Sequence, residues 1–514
     1  MSTLTYTQLE EIPKIHAAAQ AAFKSGRTSS VAFRKEQIAQ VAYMLHDNED
    51  RFKEALRSDL GRPGQETELL DFNPTYAEVK VAYDSVEKWI KPQNAPFGLN
   101  WFAMKPRLVA EAKGVVLIIS PFNVPIFLTL TPLISAIAGG NAAVLKPSEQ
   151  TPAFSALLAE LLPKYLDPDL FHVINGGVPE TTKILELPWD HIVYIGNSRV
   201  ARIVATAAAQ HLTPVTLELG GKNPVVIDPR VDVGLAARRI LWGRFSNAGQ
   251  ICLAPEYVLV PAHFQDALVA ALKDAYAAFY PDGPAKSDSF SRIVTAAQAT
   301  RIKRMIDGTQ GTVVCGGEAD VENRYVAPTI VRDVKEGDSL LSEEIFGPVL
   351  ALVPVKDEDE AIAFIRAREH PLAVYVFTHD SAFEKKVFSN TKSGAAVTNE
   401  TVISAGVPGL PVGGVGPSGY GYYTSKQGFE QLIHWRVSLK NPDWVDKLVF
   451  YFRYPPYRKD YQKYTKATNA SLPPRPGKGV MSRAAKRWGF WLLFALVGAS
   501  SVVLTRSKRS LLKA

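Results

Sequence analysis

Cys252 lies in "SNAGQICLAPE", among small and polar residues and outside any continuous apolar run. Asn247, Gly249 and Gln250 give it a loop and helix-start setting. Backbone N–H groups in such a setting lower a thiol pKa from about 8.5 and favour a thiolate nucleophile. The other cysteine, Cys315 in the strand-like "TVVCGG", reads as a buried small hydrophobe. Glu218 ends a strand pattern in "VTLELGGKNP", and the C-terminal edge of a strand is where α/β folds place ligand chemistry. A general base and a solvated edge carboxylate both fit that position. Asn123 follows another strand pattern in "SPFNVPIF", held between Pro121 and Pro125. Its amide serves there either as a donor to a developing oxyanion or as a turn former. Two cysteines exclude a disulfide framework and a Cys-rich zinc site, so no metal ligands are assigned and a reducing compartment is the natural setting.

These residues need elements to position them, and the sequence supplies two alternating patterns. Before residue 100 the periodicity is helical, and Leu9, Ile12 and Ile15 mark the apolar face of a first helix packed on the body. From Gly114 the runs "GVVLIIS", "AAVLKP", "HVING", "HIVYIG" and "PVTLELG" alternate with helix-length segments, which predicts a parallel, Rossmann-like sheet. From Asn223 the runs "NPVVID", "EYVLVPA", "TVVCGG", "VLALVPV", "LAVYVFT" and "GAAVTN" predict a second α/β unit. A crevice between the two is the expected ligand site. Gly414, Gly416 and Gly419 of "GGVGPSGYG" match G-x-G-x-x-G, but prolines and not a strand precede them, so the stretch reads as a turn-rich loop. "EQLIHWRVSLK" then predicts a late strand.

Composition is that of a folded α/β chain of two or three domains, with 514 residues, 46% hydrophobic and 21% charged. The net charge of +7 is unevenly spread: from Lys447 onward 15 Lys and Arg stand against one acid, Asp460. The body is therefore acidic and only the tail basic, which excludes a nucleic-acid groove on the body and suits an anionic membrane surface. The N-terminal stretch lacks an apolar signal region, and Glu10 and Glu11 argue against a mitochondrial presequence. Near the C-terminus "WGFWLLFALVGASSVVLT", residues 488–505, carries no charge and is bracketed by basic residues. Eighteen helical residues span about 27 Å, close to the hydrocarbon thickness of a bilayer. The segment is expected to be a C-terminal transmembrane anchor with the catalytic body in the cytosol.

In order along the chain, "PFNVP", "KPSE", "YIGNSRVARIV", "LELGGKNP", "GQICLAPE", "EEIFGPVL", "VTNE" and "GGVGPSGYG" together resemble the aldehyde dehydrogenase superfamily. Within it they are similar to the class 3 branch with membrane-anchored fatty aldehyde dehydrogenases, and "FRYPPY" and the tail look like that type. The resemblance implies that Cys252 attacks the aldehyde, that Asn123 with the Cys252 N–H holds the oxyanion, and that Glu218 activates water to hydrolyse a thioester. It also implies that Lys146 and Glu149 contact the adenosine ribose and that Glu344 and Phe346 hold the nicotinamide ribose. Gly196 and Ser198 fall on the turn beside the cofactor pyrophosphate. That turn departs from the family's G-S-T-x-x-G, reading Gly196-Asn197-Ser198-Arg199-Val200-Ala201. The cofactor implied is NAD, with NADP possible, because Glu149 should repel a 2′-phosphate while class 3 relatives often accept both.

The implied layout is an NAD(P)-binding domain at 1–98 and 112–220, a catalytic domain at 221–410 and a small oligomerisation element at 99–111 and 411–445. A basic linker at 446–487 and the anchor at 488–505 complete it. The expected activity is oxidation of long-chain or other lipophilic aldehydes at a membrane surface by a homodimer, with no nucleic-acid partner. The same chemistry on an apocarotenal or on 4-hydroxybenzaldehyde is the alternative; a thiol esterase and a non-catalytic membrane scaffold are the readings from other classes. The receiving membrane is left open among endoplasmic reticulum, mitochondrial outer membrane, peroxisome and lipid droplet.

Overall fold

The computed structural model describes residues 4–98, 101–448 and 450–457, with Lys459, Gln462 and Pro473 besides. The segment 488–505 lies outside the described residues. Among those described, no helix is long and apolar enough to cross a membrane. The chain divides into two units, one of residues 1–95 and 107–438 and the other of 96–106 and 439–514.

In the larger unit each apolar run forms a strand, and the central ones are covered on both faces while the edge strands Thr312–Cys315 and Ala395–Thr398 stay partly exposed. Val115–Ile119, Ala142–Lys146, Phe171–Val173, His191–Gly196 and Val215–Leu219 pair in parallel. Their order across the sheet, with the short strand Gly419–Tyr420 added antiparallel at one edge, is Gly419, Val215, His191, Val115, Ala142, Phe171 by first residue. The chain therefore runs outward from its first strand in one direction and then returns to extend it in the other. The reversal falls between Val115–Ile119 and His191–Gly196, the switch point at which such sheets open a crevice at their C-terminal ends. Val115–Ile119 and Ala142–Lys146 are buried at every residue, as is the helix Pro125–Gly139 that crosses between them. A helix apolar all round is one sandwiched in a core.

The second sheet has seven strands, ordered Thr312–Cys315, Thr329–Arg332, Val349–Val355, Pro255–Pro261, Asn223–Ile227, Ala373–Phe377 and Ala395–Thr398. All neighbours are parallel except the first pair. Thr329–Arg332 is a strand that the sequence pattern did not reveal. Only Gly220, Gly221 and Lys222 separate the last parallel strand of the first sheet from the first strand of the second. Consequently the C-terminal edge of one sheet leads directly to the N-terminal edge of the other. Gln93–Asn94, Arg107–Ala112 and Ile433–Ser438 form a separate three-stranded antiparallel sheet, so "IHWRVS" is the expected strand.

The first helix runs Ile12–Lys24 with a proline in its first turn, buries Ile12 and packs Ile15 partly. Leu9 precedes it and is exposed, because the helix begins later than its apolar spacing suggested. The smaller unit has a core of Met104, Val445 and Phe450, with Trp101 stacked on Phe450 at 5.2 Å between ring centroids.

Candidate active site

Glu218 is the penultimate residue of Val215–Leu219 and is only 2% exposed. It stands in register with Gly419, so the turn-rich "GGVGPSGYG" loop walls its strand rather than opening a helix. Cys252 lies just before Pro255–Pro261, at the N-terminal edge of the second sheet. The two meet: Glu218 and the Cys252 thiol are close enough for each to shift the other's titration, and Glu218 Oε1 is buried without a hydrogen-bond partner. Burial pushes the Glu218 carboxyl up to about 7, against which the neighbouring thiol acts only partly. A carboxylate there is costly because no cation compensates its lost hydration.

The thiol contradicts one expectation. Its pKa lies well above the ordinary value, first because of burial, then because of Glu218 and the charge of Glu344. A single donor, the Leu253 N–H, opposes these. The small polar neighbours visible in the sequence spend their N–H groups elsewhere, Asn247 on Glu66 and Gln250 on the Asn247 carbonyl, so burial and two acids prevail. The resting group is thus a thiol that must hand its proton to Glu218 before it can act as a nucleophile. Cys315 sits on an edge strand, partly buried against the second core.

Asn123 follows Val115–Ile119 and precedes the buried helix, 2% exposed. Its backbone carbonyl accepts from Asn247 Nδ2 at 2.8 Å and from the Arg62 guanidinium. Asn247 belongs to the turn that leads into Cys252, so the structure brings the Asn123 and Cys252 loops together. Glu344 joins them: its carboxyl accepts from the Gly221 N–H and is pushed up to about 8 by burial and then by the neighbouring Glu256. A Cβ on Gly220 would fall inside that carboxylate, which is why the close approach needs glycine. Phe346 adopts a left-handed φ of 46° and meets Phe122 edge-to-face at 5.8 Å.

The remaining predicted residues line the same sheet edge further along. Lys146 ends Ala142–Lys146, is buried, and pairs with Glu149 at 2.8 Å. Gly196 ends His191–Gly196 at the switch point, and Ser198 opens the helix Ser198–Gln210. Asn197 caps that helix by accepting from Val200 N–H at 2.9 Å, while Ala201 is buried. A Cβ at Gly196 would meet the Tyr194 ring, so this backbone stays bare beside a helix N-terminus. A bare turn, a helix N-terminus at the switch point and a Lys–Glu pair beyond it fit a dinucleotide: N–H groups for the pyrophosphate, polar groups for the ribose. Among the described residues no group of three or more His, Cys, Asp or Glu is placed to hold a metal ion.

Several supporting residues carried no sequence signal. Asn223 Nδ2 donates to the carbonyls of Cys252, at 2.7 Å, and Ala254, at 3.0 Å, while its Oδ1 accepts from Ala373 N–H at 2.8 Å. Tyr375 Oη donates to the Leu253 carbonyl at 2.5 Å. Tyr423 is fully buried near Glu218 and Cys252; burial and then their charges hold its phenol far above the ordinary range. Asn223 stood inside a quoted motif, but only the fold shows that it staples the thiol loop.

Sheet order and site together define an enzyme with a nucleotide-binding sheet and a thiol–carboxylate pair at the C-terminal end of that sheet's last parallel strand. The aldehyde dehydrogenase family model matches residues 1–437. Aldehyde dehydrogenase family 3 member B1 of Mus musculus is 42% identical over 436 residues, covering 85% of this chain and 92% of its own. The "dimeric NADP-preferring" aldehyde dehydrogenase of Canis lupus familiaris is 40% identical over 460 residues, 87% of this chain and 98% of its own. A solved substrate-bound Staphylococcus aureus AldH superposes with a TM-score of 0.85 at 35% identity, over 89% of this chain and 99% of that one. The chain belongs to the aldehyde dehydrogenase family and is an NAD(P)-dependent enzyme oxidising aldehydes.

Proposed function

We propose that this enzyme oxidises long-chain or similarly lipophilic aldehydes to carboxylic acids, with Cys252 as nucleophile, Glu218 as base and Asn123 as oxyanion donor. The observation that supports this most is the meeting of the half-buried Cys252 thiol with the buried Glu218 carboxyl, whose Oε1 has no hydrogen-bond partner. Glu218 takes the thiol proton as sulfur adds to the carbonyl carbon, and the Asn123 amide and Cys252 N–H hold the oxyanion formed. Lys146 and Glu149 hold the adenosine ribose, Gly196 and Ser198 the pyrophosphate, and Glu344 and Phe346 the nicotinamide ribose. When bound, the nicotinamide supplies a hydride acceptor. Oxidation leaves a thioester on Cys252; Glu218 first releases the thiol proton to solvent, then deprotonates a water that attacks the thioester, and the departing thiolate takes that proton back as the acid leaves. Glu149 favours NAD by repelling a 2′-phosphate, although the canine relative is named NADP-preferring.

The lipophilic substrate is supported by residues 488–505, which we read as a single-pass anchor with the body in the cytosol. An aldehyde chain partitions into lipid by ~0.8 kcal/mol per CH₂, so an anchored enzyme meets it at high local concentration. We also propose a homodimer, in line with the name of the canine relative. The test is cofactor reduction by the full chain, comparing kcat/KM for hexadecanal, an apocarotenal and 4-hydroxybenzaldehyde, with Cys252→Ala as the blank. Preference for hexadecanal supports the reading; preference for either other aldehyde refutes it. A chain ending at Pro473 should leave the membrane fraction and lose its advantage on hexadecanal only when vesicles are present.

A further inference from the structure

Arg62 is 1% exposed, and its guanidinium reaches three groups. Nε–H donates to Asn247 Oδ1 at 3.1 Å, one Nη donates to Asp71 Oδ2 at 2.5 Å and the other to the Asn123 carbonyl. Asp71 in turn accepts from the N–H groups of Phe127, at 2.9 Å, and Ile126, in the first turn of the helix that follows Asn123. On the other side, the Asn247 N–H donates to Glu66 Oε2 at 3.0 Å, which also accepts from Ser291 Oγ at 2.9 Å. Asn247 and Ala248 have φ of 52° and 51°. Non-glycine residues keep that left-handed conformation only where surrounding contacts hold them.

Two of the three guanidinium contacts are therefore not with a charge. They are with a carbonyl on the Asn123 loop and a side-chain oxygen on the turn leading into Cys252. A pair serving stability alone needs only the contact with Asp71. The fork of donors is what ties one loop to the other, and lysine, a point charge on a flexible stem, cannot hold three acceptors in that geometry.

We infer that Arg62 is a positioning residue for aldehyde oxidation, fixing the separation of the Asn123 amide from the Cys252 sulfur by bracing both loops. The inference rests on the roles given to Cys252 and Asn123 above. It concerns how the oxyanion site is held, not which group forms it.

The test is Arg62→Lys in the full chain, which keeps the charge facing Asp71 and removes the fork. Five quantities are measured: the unfolding midpoint, cofactor Kd by fluorescence quenching, steady-state kcat and KM, and the single-turnover burst of reduced cofactor. A displacement near 1 Å costs about 100-fold in rate. Burst rate and kcat should therefore both fall by about that factor, with cofactor Kd within about twofold and the midpoint within a few degrees. A folded Arg62→Lys with the parental burst rate overturns the inference. If that variant does not fold, the neutral pair Arg62→Gln with Asp71→Asn, which keeps hydrogen-bonding atoms at both positions, is judged by the same outcomes. Cys252→Ala separates the two layers. If it still reduces cofactor, the reading of the site fails; if it is dead while Arg62→Lys keeps its burst, only the positioning role fails.

Discussion

Replacing Glu218 by glutamine should stabilise the protein at alkaline pH while removing its turnover. The fold holds this carboxyl, 2% exposed, at about 7 where its ordinary value is 4.5. A rise of roughly 2.5 units at ~1.4 kcal/mol per unit is about 3 kcal/mol. The sign follows from proton counts. Below pH 4.5 both folded and unfolded chains carry the proton, and the group contributes nothing to the pH dependence. Between 4.5 and about 7 only the folded state keeps it, so stability falls as pH rises. Above about 7 both are ionised and the whole burial penalty of roughly 3 kcal/mol applies. Glutamine has no such penalty. The assay is the urea midpoint of parent and Glu218→Gln from pH 4.5 to 8.5, taken as variant minus parent so that other titrating groups cancel. The difference should grow in favour of the variant through pH 5–7 and then level off. A difference that is flat with pH would refute the argument, because it would mean that Glu218 titrates alike in both states.

The same carboxyl should give kcat an acidic limb near pH 7, with activity falling about tenfold per unit below it. Glu218→Gln should erase that limb and slow both the burst of reduced cofactor and thioester hydrolysis by about 10²–10⁴-fold, read by stopped-flow absorbance. Glu218→Gln should also shift Cys252 alkylation by iodoacetamide to lower pH, because Glu218 is the largest upward influence after burial. Asn223→Ala removes two hydrogen bonds from the thiol loop and a third from the Ala373 N–H of the neighbouring strand. It should cost about 2–4 kcal/mol in the unfolding midpoint. Gly249→Ala places a Cβ against the Gly347 backbone at a φ of 75°. It should destabilise by more than about 2 kcal/mol, measured by thermal unfolding.

Much of the fold was legible because buried parallel strands announce themselves as short, nearly continuous apolar runs. "GVVLIIS", "AAVLKP" and "HIVYIG" became Val115–Ile119, Ala142–Lys146 and His191–Gly196. Thr329–Arg332 escaped because its four residues follow a proline and end in arginine, giving neither a long run nor an alternation. In the site, Glu218 and Asn123 were legible as types at the C-terminal ends of strand patterns, and Cys252 as a thiol among small and polar residues outside any apolar run. What pattern cannot show is the environment that long-range folding builds. The thiol's polar neighbours in sequence suggested a lowered pKa, yet its neighbours in space are two acids. Arg62 and Asn223 were invisible for the same reason: each acts on backbone far away in the chain, and neither interrupts a periodicity.

Charge placement around the site divides its three carboxylates, Glu218 and Glu256 buried and Glu344 half-buried, into two kinds. Glu256 receives Arg244 at 2.7 Å, Lys222 at 2.9 Å and the Ile345 N–H at 3.0 Å, and these hold it down at about 2 despite burial. A permanently ionised group so well satisfied is a poor base, and its role is to fix the segment that carries Glu344. Glu218 is as deeply buried but has no cation among its hydrogen-bond partners, and Glu344 is raised by lost hydration and then by the neighbouring Glu256. Both therefore rise toward neutral pH. A base that must accept a proton from a thiol and later from water needs a pKa near the working pH, which requires burial without compensation. The cations nearest this part of the site are spent on Glu256, which is what leaves Glu218 poised. The local instability worked out above for Glu218 is thus the physical form that its basicity takes.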